Sequence, residues 1–186
     1  MKRTIFAAAT ATILATTAFA DNSMSKNPMV GGAEMFADKN VVENAVNSAD
    51  HTTLVAAVQA AGLVETLSGE GPFTVFAPTN DAFAALPEGT VETLLKPENK
   101  DQLTNVLLYH VDDRKLTASM IPAGSNYFKP ILATERLCIT AGADGVTIAD
   151  GTGDVANVII ADIMADNGVI HVVDKVLLPG TRPACH

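Results

Sequence analysis

Three histidines, His51, His110 and His171, could move protons near neutral pH, and Tyr109 directly precedes one of them. On a helix, neighbours in sequence point about 100° apart, so Tyr109 and His110 form no relay pair by adjacency alone. His110 shares an apolar helical face with Leu103 and Leu107. That setting suits a buried histidine hydrogen-bonded to a backbone carbonyl. His171 alternates with valines and reads as a second structural group of the same kind. No serine stands in a Gly-x-Ser-x-Gly elbow, and neither a Gly-x-x-x-x-Gly-Lys loop nor a His-Glu-x-x-His pair occurs. The run "DGTGD" at 150–154 looks like a fragment of a calcium loop. Val155 stands where such a loop needs glycine, however, and Ala161 where it needs glutamate, so a hairpin turn is the expectation. These readings predict no catalysis, no cofactor and no bound metal.

The two cysteines, Cys138 and Cys185, are 47 residues apart and lack the close-pair spacing of a zinc site. In an oxidising compartment they could bridge; free or intermolecular thiols are the alternatives, because Cys185 lies one residue from the C-terminus. Export itself is predicted by residues 1–20. Lys2 and Arg3 precede an apolar stretch lightened by threonines, and Ala18-Phe19-Ala20 has the small-x-small pattern of a signal-peptide cleavage site. A membrane anchor would need roughly 20 apolar residues, so the protein is not expected to be membrane-embedded after cleavage. Removing Lys2 and Arg3 leaves 12 − 2 = 10 basic residues against 21 acidic ones, a formal charge of −11. So acidic a chain repels phosphate backbones, which argues against nucleic acid as a partner.

Residues 21–32 are polar and aperiodic, and read as a flexible leader. Asn40 with Glu43 forms a capping-box pattern before Val41, Val42, Ala45 and Val46. Asp50 is placed to cap a second helix with Leu54, Val55, Val58 and Ala61 on one side and Gly62 as its left-handed stop. Within "GPFTVFAPTNDAF" at 71–83, Phe73 to Phe76 form a core strand, and Pro78 ends it where no ladder donor is needed. Thr79 then caps a helix, followed by Asn80, whose Phe83 and Leu86 turn inward. Thr90 can cap residues 91–95, and Pro97 opens a helix to about Tyr109. Short strands follow at 136–140, 145–149, 155–163 and 169–178, the last apolar on both faces. Helices first and hairpins later is an α+β order.

Three stretches together resemble the fasciclin domain: "GPFTVFAPTNDAF" at 71–83, Tyr109-His110 at a helix end, and "NGVIHVVDKVLLP" at 167–179. Their order and spacing fit one copy over residues 33–180, leaving 181–186 as a tail. The resemblance implies a helical layer packed on a β-sandwich or wedge of short, mostly antiparallel strands. The middle departs from the family pattern: "VDDRK" follows Tyr109-His110 in place of a Val-Pro-Gly-Lys type of turn, and "NYFKPILATERLC" replaces a Gly-Thr-rich hairpin. In animal fasciclin proteins adhesion is associated with an Asp-Ile pair and with the Tyr-His motif, which correspond here to Asp162-Ile163 and Tyr109-His110. The alternative is that Ile163 is core and Asp162 a turn residue.

The resemblance thus implies a secreted or periplasmic adhesion module, monomeric or a weak homodimer, contacting a cell-surface or matrix protein or polysaccharide. A carrier of a small apolar ligand and a hydrolase are the competing classes. A carrier needs an enclosed pocket of about 300 Å³ or more. An adhesion module should instead expose a patch near Met120 to Tyr127 or Asp162 to Asp166. The exported protein is expected to begin at Asp21, which intact-mass measurement checks; a mass retaining residues 1–20 would overturn the assignment.

Overall fold

The computed structural model describes residues 27–185 apart from 133 and 182. The predicted signal peptide, most of the predicted leader and residues 182 and 186 of the tail therefore lie outside the described residues. Where the leader is described it is not loose. Strands β1 (Met29–Val30) and β2 (Ala33–Glu34) form a small hairpin, and Val30 is buried in the core. Gly31 turns that hairpin at φ +57° so close to Ser48 that a Cβ there would meet the Ser48 hydroxyl at 2.5 Å. Polarity and lack of period hid this contact, because a two-residue strand leaves no pattern.

The helices follow as α1 (Val41–Asn47), α2 (Thr52–Ala61) and α3 (Val64–Ser68), then, after the first long strand β3 (Phe73–Pro78), α4 (Asn80–Ala84), α5 (Thr90–Leu94) and α6 (Lys100–Tyr109). The remaining strands are β4 (Val111–Asp112), β5 (Gly124–Phe128), β6 (Leu137–Gly142), β7 (Gly145–Ala149), β8 (Val155–Ala165) and β9 (Gly168–Val173). Capping explains several boundaries. Asn40 and Glu43 make the reciprocal box on α1, Gly62 closes α2 at φ 75°, and the Thr79 hydroxyl accepts from Ala82 N–H to start α4. The cap of α2 is different from expectation. Asp50 does not supply it; the Asn80 carbonyl oxygen accepts from Thr53 N–H at 3.0 Å, while its amide donates to the Ala49 carbonyl at 2.9 Å. Thr90 is likewise the first helical residue rather than the cap, which is Gly89.

The sheet has seven strands in the order β4-β3-β9-β8-β7-β6-β5, antiparallel throughout except for the parallel pair β3 and β9. Two strands were not anticipated: β4 is only two residues long, and β5 runs into the "NYFKPILATERLC" segment, where the resemblance gives no strand pattern to follow. β9 stops at Val173, since residues 174–178 leave the ladder. All six β9 residues are buried. Ile170 and Val172, with Val75 and Ala77 of β3, belong to the apolar cluster under the helices. Val173 and Phe76 belong to a second cluster enclosed by the curled sheet, with Leu137, Ile139 and Ile148. The central pair is thus covered on both faces, as its composition predicts.

Cys138 on β6 and Cys185 are bridged, with Cα atoms 5.5 Å apart. The Tyr127 hydroxyl donates to the Pro183 carbonyl at 2.9 Å and helps lay the tail across β5. Closing a 47-residue loop restricts the unfolded chain by about 4 kcal/mol in the loop-entropy model. Thiol titration of unfolded, unreduced protein is expected to find neither cysteine free. Reduction should lower the unfolding midpoint, and an unchanged midpoint would show that the tail contributes nothing to stability.

Candidate functional site

His110 is the C-cap of α6 and is 2% exposed. Its Nδ1 lies 2.7 Å from the Val106 carbonyl oxygen, and its Nε2 accepts from Leu177 N–H at 2.8 Å. A carbonyl can only accept and an N–H can only donate, so these partners fix a neutral ring protonated at Nδ1. Burial pushes its pKa down to about 4, against the smaller opposing effects of the Val106 carbonyl and Asp150. Tyr109 is wholly buried and donates from its hydroxyl to the Arg136 carbonyl at 2.8 Å. Burial, with Asp150 and Glu135 nearby, raises its pKa. The two residues therefore serve different parts of the core and share no proton path.

His171 sits on β9, stacked on Phe76 with ring centroids 5.7 Å apart. Its Nε2 donates to the Leu116 carbonyl at 2.7 Å, and its Nδ1 accepts from Asp162 N–H at 3.3 Å. Burial lowers its pKa as well, opposed by Leu116 and Asp162. Thr74, fully buried on β3, completes the arrangement: its hydroxyl donates to the Arg114 carbonyl and accepts from Leu116 N–H at 2.8 Å. The segment after β4 is thereby pinned to both central strands. Arg114 also forms a two-pronged pair with the buried Asp112 carboxylate, at 2.8 and 2.6 Å.

Asp162 does not simply face solvent, as its place at a strand end suggested. β8 carries register shifts between Val158 and Ile160 and between Ile160 and Ile163, and Asp162 occupies the second at φ 58°. Aspartate tolerates that left-handed backbone better than most residues. Its Oδ1 accepts from Ala118 N–H at 2.7 Å, holding the short helical turn Ala118–Met120 against the strand. Ile163, the next residue, is 1% exposed and part of the core. Of the four residues linked to adhesion by resemblance, Tyr109, His110 and Ile163 thus lie inside and only Asp162 reaches partial exposure. Along the same strand, however, Ile159 and Met164 are exposed at 54 and 38%, and Met120, two residues past Ala118, at 60%.

The other motif residues have structural positions. Phe73 opens β3, where its N–H donates to the Asn167 carbonyl; Phe76 and Phe83 are buried, and Pro78 pairs with Val173 at the end of the ladder. Two hubs escaped sequence reasoning. Asn167 accepts from Val41 N–H at 3.0 Å and donates to the Leu67 and Gly69 carbonyls at 2.8 Å each, joining α1, α3 and the β8–β9 turn. Asp150, in the "DGTGD" turn, accepts from Thr152 and Asp154 through Oδ1 and from Leu178 N–H through Oδ2. The acidic run is a hairpin turn whose buried carboxylate is used within the protein. Side chains that bond distant backbone have no local spacing to betray them.

An apolar pocket of about 120 Å³ opens among α1, α2 and α3, with Val75, Leu107, His110 and Val111 beneath. Among the described residues no group of three or more His, Cys, Asp or Glu is arranged to hold a metal, and no helix is long and apolar enough to cross a membrane.

The sheet order, the helical layer and the buried Tyr-His and His171 positions define a fasciclin-type α+β domain. Residues 49–179 match the fasciclin domain family, and the chain belongs to it. It is 51% identical over 154 residues to Protein sll1483 of Synechocystis sp., covering 83% of this chain and 81% of that one. It is 44% identical over 126 residues to transforming growth factor-beta-induced protein ig-h3 of Sus scrofa, covering 68% of this chain but 17% of that longer protein. Among solved structures it is similar to a FAS1 domain pair from the insect cell adhesion molecule fasciclin I. That match has a TM-score of 0.53 and 20% identity, and covers 65% of this chain and 42% of the pair. This likeness carries the fold alone.

The histidines generate a pH prediction. A histidine whose folded pKa is depressed contributes stability that is complete above the unfolded value of 6.5 and lost as pH falls towards the folded value. For His110 the window runs from 6.5 to about 4, a loss of about 3 kcal/mol across it, with His51 and His171 acting in the same direction. Urea unfolding at pH 7, 6 and 5 should show falling stability before most carboxylates titrate. A flat profile would mean that these rings are not held neutral.

Proposed function

We propose that this chain is an exported, non-catalytic fasciclin module that holds a cell-surface or matrix partner, protein or polysaccharide, at the surface where the Ala118–Met120 turn meets β8. The observation that carries the reading is the exposure of Met120, two residues from the Ala118 that Asp162 holds, together with Ile159 and Met164, which lie either side of Asp162 along β8. Exposed large apolar side chains mark a contact surface where they join into one patch, and the double variant below tests that. The non-catalytic part is supported by the histidines: His110 and His171 each engage both ring nitrogens with backbone groups, and His51, whose Nδ1 bonds the Ser48 hydroxyl and whose Nε2 has no partner, is only 2% exposed. Export is supported by residues 1–20 and by the Cys138–Cys185 bridge, which suits an oxidising compartment. A carrier that encloses its cargo is less well supported, because the apolar pocket is well under the size such carriers need.

The test separates charge, contact and fold. Asp162→Asn keeps an acceptor for Ala118 N–H and tolerates φ 58°, so its stability should stay within about 0.5 kcal/mol of the parent. Asp162→Ala loses the bond and strains the bulge, and should cost about 1–2 kcal/mol. Met120→Lys with Met164→Lys should leave thermal unfolding unchanged while abolishing capture of partners from cell-surface extract. Retained capture by the double variant would remove this surface from consideration.

A further inference from the structure

Helix α1 is not buried as its sequence predicts. Val41, Val42, Ala45 and Val46 give the helix a short apolar face in the sequence, yet its buried residues are Val41 and Asn44. Asn44 is wholly buried because its amide is fully used: Oδ1 accepts from Phe36 N–H at 2.8 Å, and Nδ2 donates to the Phe36 and Lys39 carbonyls. Those bonds set the rotation of the helix. Its valine face consequently looks towards α2 and α3 without closing on them, and Val46 is 56% exposed. Across the gap, Val55 and Val64 are likewise only partly buried. Between them lies the apolar pocket of about 120 Å³, floored by core side chains.

We infer that this pocket binds the hydrocarbon end of a small uncharged molecule, an aromatic ring or an alkyl group of about six carbons. Size sets the upper limit, since a cavity of about 150 Å³ accommodates benzene. Charge sets the class. The lining residues carry no formal charge, so a charged group drawn in with the chain would lose hydration without gaining an ionic partner from the lining. Lys100 lies beside Gly62, past the end of α2 and outside the lining. Hydrogen bonding is restricted in the same way. His110 touches the floor with both ring nitrogens occupied, so Gln59, exposed on α2, is left to meet a hydroxyl or carbonyl at the mouth. The pocket takes a group, not a whole lipid, and the inference stands independently of the proposed contact surface at β8.

The experiment compares 1-hexanol with hexanoate at neutral pH, which share a chain and differ in charge, using methyl-labelled full-length protein. Hexanol should shift the methyl resonances of Val42, Val46, Val55 and Val64 saturably, with a dissociation constant of about a millimolar, as expected for so few atoms. The methyls of Val155 and Ile159 should not respond. Hexanoate should bind at least about tenfold more weakly by the charge argument. Val55→Phe places a ring in the mouth from a partly exposed position and should weaken hexanol at least about tenfold; Ala45→Leu provides a second filling variant should the first disturb folding. Equal affinity for hexanoate would overturn the charge class. Unchanged affinity in a folded filling variant, or equal shifts at Ile159, would overturn the site.

Discussion

A strand pair covered on both faces has no water within reach, and this constraint governs the molecule. β3 and β9 run parallel between two apolar clusters, so polar groups beside them are driven to find partners in the protein, and among the described buried side-chain atoms only His51 Nε2 goes without one. A neutral imidazole suits that task, since it offers one donor and one acceptor in a rigid ring. His110 joins the end of α6 to the chain leaving β9, and His171 joins β9 to the segment after β4 and to the bulge of β8. Protonating either ring would turn an acceptor into a donor facing an N–H. The same feature that makes these histidines good braces makes them poor catalysts.

The sequence-level view was sound where periodicity or capping carries information. The two-sided strand was legible because Val173 and Leu177 alternate with Ile170, Val172 and Val176, and these groups do divide between the two clusters. The Asn40–Glu43 box, the Gly62 stop and the Thr79 cap were legible because each is a local rule. What stayed hidden depends on contacts across the chain. Asn80 caps a helix 27 residues away, Asn167 ties down Val41 at a separation of 126, and Asp162 turns from a surface carboxylate into a brace for Ala118. The apolar face of α1 was visible, but its rotation was decided by a buried asparagine that composition alone would place in solvent.

This division bears on the candidate site. The residues that reveal the family are mostly those that build it: Phe76, Thr79, Asn80, Tyr109, His110 and His171 all bond or pack within the fold. Family membership is therefore read from the scaffold, whereas the exposed Met120, Ile159 and Met164 lie outside those motifs and, on the proposed reading, would choose the partner. On that reading substitution there would change recognition at little cost to stability, which is how one scaffold can serve different partners.

The brace at Asp162 and the pocket at α1 follow from the same physical bargain between polar satisfaction and apolar coverage. At β8 the chain accepts a left-handed aspartate because the carboxylate and the amide of that residue each reach a partner that would otherwise be unbonded. At α1 it accepts an incompletely covered valine face because turning the helix further inward would break the three hydrogen bonds of Asn44. Three such bonds outweigh the modest apolar area of one short helix face, since leaving a buried amide unsatisfied costs about 1–3 kcal/mol for each lost partner. In both places a backbone demand is met first and apolar surface is left showing. On the proposed readings, recognition of other molecules falls where those concessions reach the surface.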